Sequence, residues 1–159
     1  MMTNRQGKTL SVQINGPENA PAIVFSNSLG TDHGMWQPQV AALKSQYRVV
    51  TYDTRGHGQS DVIENTTLQN LGEDVIDILD ALNIEKAHFC GISMGGMTAL
   101  WLGIHQSQRF NSITVANSAA KIWTVEGWNA RADTVEVNGL ADLLSLIHIS
   151  EPTRPRLIS

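Results

Sequence analysis

The chain has 159 residues, of which 42% are hydrophobic, enough for one domain with a real core and with nothing that asks for two. Asp and Glu number 15 against 11 Lys and Arg, a formal charge of -4 with no basic block, which excludes a nucleic-acid or anionic-membrane footprint and points to a small-molecule partner. The lone Cys90 excludes an internal disulfide, and the histidines (His33, His57, His88, His105, His148) show no metal-ligand spacing, so neither a metal nor a cofactor is expected.

The N-terminal stretch MMTNRQGKTLSVQINGPENA lacks the apolar run of about 7 to 15 residues that a secretory signal needs. No stretch anywhere reaches the ~18 apolar residues of a membrane span, and a cytoplasmic location is the default expectation. Thr9 to Ile14 (TLSVQI) reads as an amphipathic strand, followed by a turn with Gly16, Pro17, Asn19 and Pro21. Ala22 to Ser26 (AIVFS) is an apolar run of the buried-strand type. Between His33 and Gln46 the spacing of Trp36, Val40 and Leu43 predicts a helix. Tyr47 to Asp53 is the next strand, and TRGHGQS after it is a glycine-broken loop. Thr66 and Gln69 form a T-x-x-Q capping box that opens a helix with Leu71, Val75, Ile78, Leu79 and Leu82 inward, ended by Asn83.

KAHFCGI is a third buried strand that runs straight into Ser93, and MGGMTALWLGIHQ reads as the helix after it. Gly95, Ala99 and Gly103 recur every four residues, leaving one helix face nearly bare for close approach to a sheet. Asn111 to Val115 supplies another strand. Strands alternating with helices predict an α/β fold, a parallel sheet covered on both faces, because parallel neighbours need crossover connections.

Gly91 to Gly95, G-I-S-M-G, matches G-x-S-x-G, the nucleophile elbow, and its setting meets that motif's physical demands. A strand ends at the serine, a helix begins just after it, and small residues flank a turn that would otherwise clash. Ser93 is the candidate nucleophile. The N–H of Met94, opening the helix, is a candidate donor to an oxygen that develops negative charge. A second donor is expected from the loop after the preceding inner strand, S-N-S-L-G-T, where Leu29 is the choice and Gly30 gives the backbone room to turn. The alternative there is an ordinary strand-to-helix loop.

Taken together, F-S-N-S-L-G-T-D-H-G-M-W, Y-D-T-R-G-H-G-Q-S, F-C-G-I-S-M-G-G-M and E-G-W-N-A-R resemble the α/β-hydrolase fold and, within it, the 3-oxoadipate enol-lactonases of aromatic catabolism, from about Thr9 to Leu143. D-x-R-G-x-G-x-S occurs across many α/β hydrolases, so Asp53, Arg55 and Ser60 are read as loop-locking residues. S-N-S-L-G in place of a His-Gly pair, with Trp128 and Arg131, is more discriminating. The resemblance implies attack by Ser93 on a lactone carbonyl, an oxyanion held by the N–H groups of Leu29 and Met94, and release of 3-oxoadipate by water, a step of the β-ketoadipate pathway. Such a substrate carries a free carboxylate, which a guanidinium is best shaped to hold. Arg131 is the candidate, three residues beyond Trp128 and so on the same helical face. A solvated arginine is the alternative; Trp128 either walls the pocket or merely packs, and Arg55 is a weaker clamp.

The elbow also needs a histidine base and an acid to orient it, in the chain order Ser, Asp or Glu, His. In the family both follow a helical lid and two further strands, which this chain does not reach. From Ser145 the resemblance stops, and SLIHISEPTRP looks like an in-frame reading of sequencing-adapter DNA, so the natural frame is expected to break near Leu143 or Leu144. The expected parts are residues 1–117 as core of an incomplete α/β-hydrolase fold, 118–144 as the start of a lid, and 145–159 as a non-native tail. None of the chain's own histidines is expected to substitute: His105 lies ~18 Å along its helix, His88 below the elbow, His33 and His57 in loops away from the base position, and His148 in the tail. The chain as written is expected to be nearly inactive. Rival readings are a carboxylesterase or cofactor-free perhydrolase, which need no Arg131, and a non-catalytic, misfolding-prone fragment. Oligomeric state is not specified by the sequence.

Overall fold

The computed structural model describes residues 1–121 and 124–138. Expectations that fall on residues 139–159, the foreign tail and His148 among them, lie outside the described residues. The chain divides into two compact units, Met1–Ala120 and a second from Lys121 on. In the first unit the strands are β1 (Met2–Thr3), β2 (Thr9–Leu10), β3 (Val12–Asn15), β4 (Ala22–Ser26), β5 (Arg48–Tyr52), β6 (Ala87–Ile92) and β7 (Phe110–Ala116). Its helices are α1 (Gln37–Leu43), α2 (Leu68–Ala81) and α3 (Met94–His105); α4 (Val125–Asn138) belongs to the second.

A 5-stranded sheet has the order β3-β5-β4-β6-β7. β4, β5, β6 and β7 run parallel, while β3 pairs antiparallel with β5. The chain leaves β4 toward β5 on one side, then crosses back over β4 to lay β6 on the other. Right-handed crossovers in opposite directions put their helices on opposite faces of a sheet. The packing follows: Val24, Val50, Tyr52 and Phe89 face α2 and α3, whereas Phe25, Val49, Cys90 and Ile92 face Trp36, Val40 and Leu43 at and within α1. Neighbouring residues of each strand serve different cores, as the pleat requires for a sheet buried on both sides.

Register carries the site. Phe25 lies opposite Thr51, Ser26 opposite Gly91, and Ile92 opposite Ala116, so β4, β5, β6 and β7 end together along one edge. The order reverses between β4 and β6, and in open α/β sheets the crevice at such a reversal, beyond the carboxyl ends of the strands, is where ligands bind.

Several local expectations shift. The strand read over Thr9 to Ile14 breaks at buried Ser11, whose N–H donates to Ser60 Oγ at 2.9 Å and whose carbonyl accepts from Asp53 N at 2.9 Å. Its first half pairs with the unforeseen β1, its second with β5. The capping box of α2 falls one residue later, on Thr67 and Asn70, because the Asn70 side-chain oxygen accepts from the Thr67 N–H as Glu or Gln ordinarily would. Asn83 does end the helix: at φ 53 it lets Ile84 N donate to Leu79 O at 2.8 Å and Asn83 N to Asp80 O at 3.1 Å, a Schellman pair. The helix read from His33 starts as a 3-10 turn, His33–Trp36, before α1.

Candidate active site

Ser93 sits between β6 and α3 with φ 54 and ψ -112, a conformation that costs an L-residue of order 1–3 kcal/mol and persists only where its surroundings impose it. The surroundings are visible. Ser93 N donates to Ala116 O at 3.0 Å, and Ser93 O accepts from Met97 N at 3.0 Å and from Ser118 Oγ at 2.7 Å. A Cβ on Gly91 would strike the Gly95 carbonyl, and one on Gly95 the Ser26 carbonyl of β4, so only glycine fits at either place. The first turn of α3 is thereby drawn onto the end of β4, where Gly95 N donates to Asn27 O at 3.0 Å.

That bond brings the elbow and the S-N-S-L-G segment together. Asn27 is fully buried; its Nδ2 donates to Tyr52 O and its Oδ1 accepts from Trp36 Nε1, each at 2.9 Å. The residue read only as a marker of subfamily is thus the joint of β4, β5 and the 3-10 turn. Beyond it, Thr31 N donates to Ser28 O at 3.3 Å across Leu29 and Gly30; with Gly30 at φ 76 and Leu29 on the ordinary side of φ, this is a type II turn. Among the described residues, no acceptor takes the N–H of Leu29 or of Met94, and Ser93 Oγ has no hydrogen-bond partner.

The neighbouring loop, residues 53–61, is tied down by buried polar groups. Arg55 Nε and Nη2 each meet the Asp74 carboxylate of α2 at 2.7 Å, both side chains almost wholly enclosed. Arg55 is therefore committed to Asp74, which ends its reading as an alternative substrate clamp. Ser60 Oγ donates to Asp53 O at 2.6 Å. Asp53 accepts from Gln59 N at 3.0 Å and from His33 N at 2.8 Å, with His33 Nδ1 at 2.7 Å. Burial works to raise the Asp53 pKa, but those Gln59 and His33 contacts outweigh it and hold the carboxyl below its ordinary 3.8. Burial pushes the Tyr52 phenol well above its ordinary 10.0, so it stays protonated in its 2.8 Å bond with Ser26 Oγ.

Asp32, His33 and Asp53 also bring possible ligand atoms within 4.8 Å of one another. His33 and Asp53 are bonded together, however, and Asp32 accepts from Gly34 N at the start of the 3-10 turn. The remaining described histidines are engaged away from Ser93: His57 Nε2 accepts from Gly30 N at 3.0 Å, His88 Nδ1 lies 2.8 Å from Ser112 Oγ, and His105 stacks obliquely on Trp101. On α4, Arg131 stands over the Trp128 ring, 5.9 Å from its centroid, a cation–π pair at helical spacing.

A strained serine at a strand-to-helix elbow, set at the switch point of a mainly parallel sheet, defines a class. The sequence pattern described as alpha/beta hydrolase fold matches residues 21–139, and the chain belongs to that family. Among individual relatives, it is 89% identical over 148 residues to 3-oxoadipate enol-lactonase 1 of Acinetobacter baylyi, covering 93% of this chain and 56% of that protein. It is 48% identical over 139 residues to 3-oxoadipate enol-lactonase 2 of the same organism, covering 87% and 52%. The crystal structure of the enol-lactonase from Burkholderia xenovorans superposes with a TM-score of 0.85 at 43% identity, over 89% of this chain and 55% of that one. The chain spans about half the length of the curated relatives it matches. No helix among the described residues is long and apolar enough to cross a membrane.

Proposed function

We propose that these residues form the nucleophile half of a serine hydrolase that opens 3-oxoadipate enol-lactone to 3-oxoadipate. The observation that carries the reading is Ser93 held at φ 54 with a hydroxyl and a following Met94 amide that have no hydrogen-bond partner among the described residues, in a chain 89% identical to an enol-lactonase. Ser93 Oγ attacks the lactone carbonyl carbon and loses its proton to a base; the N–H groups of Leu29 and Met94 stabilise the resulting oxyanion. Collapse breaks the ring C–O bond, leaving an acyl enzyme whose new enol end takes up a proton and ketonises. Water then attacks the acyl carbon and frees the second carboxylate. An enol leaves more readily than a simple alkoxide, so the first step is the easier one for this substrate.

None of the described histidines is taken as the base: His33 is bonded to Asp53, His57 to Gly30 and His88 to Ser112, and His105 lies at the far end of α3 from Ser93, against Trp101. Arg131, paired with Trp128, is the proposed clamp for the carboxylate that the lactone carries from the start. The test uses a chain continued beyond Leu143 with the C-terminal part of the Acinetobacter baylyi relative. It is expected to open the carboxylated lactone, to be labelled at Ser93 by a phosphonate probe, and to lose lactone activity more than neutral-ester activity on Arg131→Ala. Equal losses on both substrates remove Arg131 from the site; absence of the Ser93 label removes the hydrolase.

A further inference from the structure

We infer that His57 is a positioning residue for the oxyanion loop: as the neutral Nδ1–H tautomer it latches the Gly30 amide, and a proton on Nε2 releases it. The inference rests on the reading of Ser28–Thr31 as that loop. The ring spans two main-chain groups from different loops, with Nε2 3.0 Å from Gly30 N and Nδ1 3.1 Å from Arg55 O. An amide N–H can only donate and a carbonyl can only accept, so the roles are forced: the proton is on Nδ1 and the lone pair on Nε2. That lone pair is spent on Gly30, which is why His57 is no general base.

Without the latch, the bonds that hold the turn among the described residues are those from Thr31 N and Thr31 Oγ1 to Ser28 O and the Thr31 Oγ1 contact with Met35 Sδ at 3.1 Å. The Gly30 N–H belongs to the peptide plane that follows Leu29 Cα. Holding that plane restrains the rotation about Leu29 that would turn its own N–H away from a developing oxyanion, and misplacement by ~1 Å costs on the order of a hundredfold in rate. His57 is itself anchored, by His57 N to Thr54 O at 2.9 Å and Ser60 N to His57 O at 3.0 Å. The charged groups around it are occupied: Arg55 by Asp74, Asp53 by His33 and Gln59, Asp61 by Thr9 N, and Asp32 by Gly34 N. The imidazole proton is thus the variable that sets the link. In the imidazolium both nitrogens donate, and an Nε2–H facing the Gly30 N–H replaces attraction with repulsion.

The test is NMR on the 15N-labelled 159-residue chain. The ring nitrogens should report the Nδ1–H form, and the Gly30 and Leu29 amides should titrate with the midpoint of the His57 ring. His57→Gln returns an acceptor near the place of Nε2 and should abolish that titration while keeping the Gly30 amide bonded. His57→Asn, too short to reach Gly30, should leave both amides at their acid-form positions at every pH. An Nε2–H tautomer, or a Gly30 amide indifferent to the ring, overturns the inference. In the continued chain, His57→Asn should lower kcat on a 4-nitrophenyl ester about tenfold, with KM changed less than about twofold, and His57→Gln should recover most of the loss. Equal kcat in all forms overturns the inference yet leaves the Ser93 label, and so the hydrolase, in place.

Discussion

Two turns leave the strands on either side of β4, at the same end of the sheet, and are held by opposite means. The turn after β6 is held by the absence of side chains: Gly91 and Gly95 let three backbone segments touch, and their contact keeps Ser93 in a conformation it would not choose. The turn after β5 is held by side chains buried in number, with Arg55 on Asp74, Asp53 on His33 and Gln59, and Ser60 between Asp53 and Ser11. The difference has a functional logic. A hydroxyl that is to react cannot also serve as a fastener, so the elbow is fixed through its backbone and the polar locks stand one loop away.

The two turns differ most at Ser93. In the continued chain, Ser93→Ala should lower lactone turnover by ~10⁶ while leaving the urea midpoint within experimental error, because Ser93 Oγ holds nothing in place. In the turn after β5 the same kind of truncation should cost stability instead. Arg55→Ala leaves the Asp74 carboxylate buried without its partner and should destabilise by about 3–5 kcal/mol in urea unfolding. If Arg55→Ala costs no more than a surface substitution, the lock is not what holds that loop.

Gly95→Ala tests the steric half. Its methyl meets the Ser26 carbonyl and must push α3 from β4, breaking Gly95 N to Asn27 O, for a loss of about 2–3 kcal/mol. A tolerated alanine would mean that the elbow is not closed by contact.

Acid sharpens the contrast further. The folded Asp53 pKa lies below its ordinary 3.8, so the unfolded chain takes up the proton first as pH falls. The stability Asp53 confers is complete above the ordinary carboxylate range and is lost from roughly pH 5 downward, through the lower folded value. Asp53→Asn should therefore flatten that limb of the stability–pH curve, while substitutions at the elbow leave it unchanged. The smallest effect is expected from Ser118→Ala, which removes one bond to Ser93 O and should cost about 1 kcal/mol by the same unfolding measurement.

Features that depend on short spacing are legible in the order of residues alone. The strand AIVFS ends at Ser26 as its apolar run predicts, and G-I-S-M-G marks the elbow because the clash that makes glycine necessary at Gly91 is with Gly95, within a few residues of Ser93. The clash that requires Gly95 is with Ser26 of β4 and shows only in the fold. Of Gly95, Ala99 and Gly103, expected to form one bare helix face, Gly95 and Ala99 are buried, whereas Gly103 is exposed and a Cβ there would meet only Ile113 Cδ1 at an ordinary 3.5 Å. Even the error in the α2 cap was by one residue, since Thr66 and Thr67 both offer a hydroxyl and only folding shows which amide lies in reach.

The long-range partnerships are set by the folded sheet and its helices. Arg55 with Asp74, Asn27 with Tyr52 and Trp36, His57 with Gly30, and Asn4 with Asp74 join residues whose separation in the chain carries no period and no motif. The β1–β2 hairpin is not legible because its strands are too short to show alternation; Asn4 closes its turn locally, and Asn4 and Arg5 fasten it to Asp74 and Asp77 on α2. Local sterics can be read from neighbours in sequence. A buried hydrogen bond needs its donor and acceptor brought within about 3 Å, and only the folded sheet sets which distant residues meet.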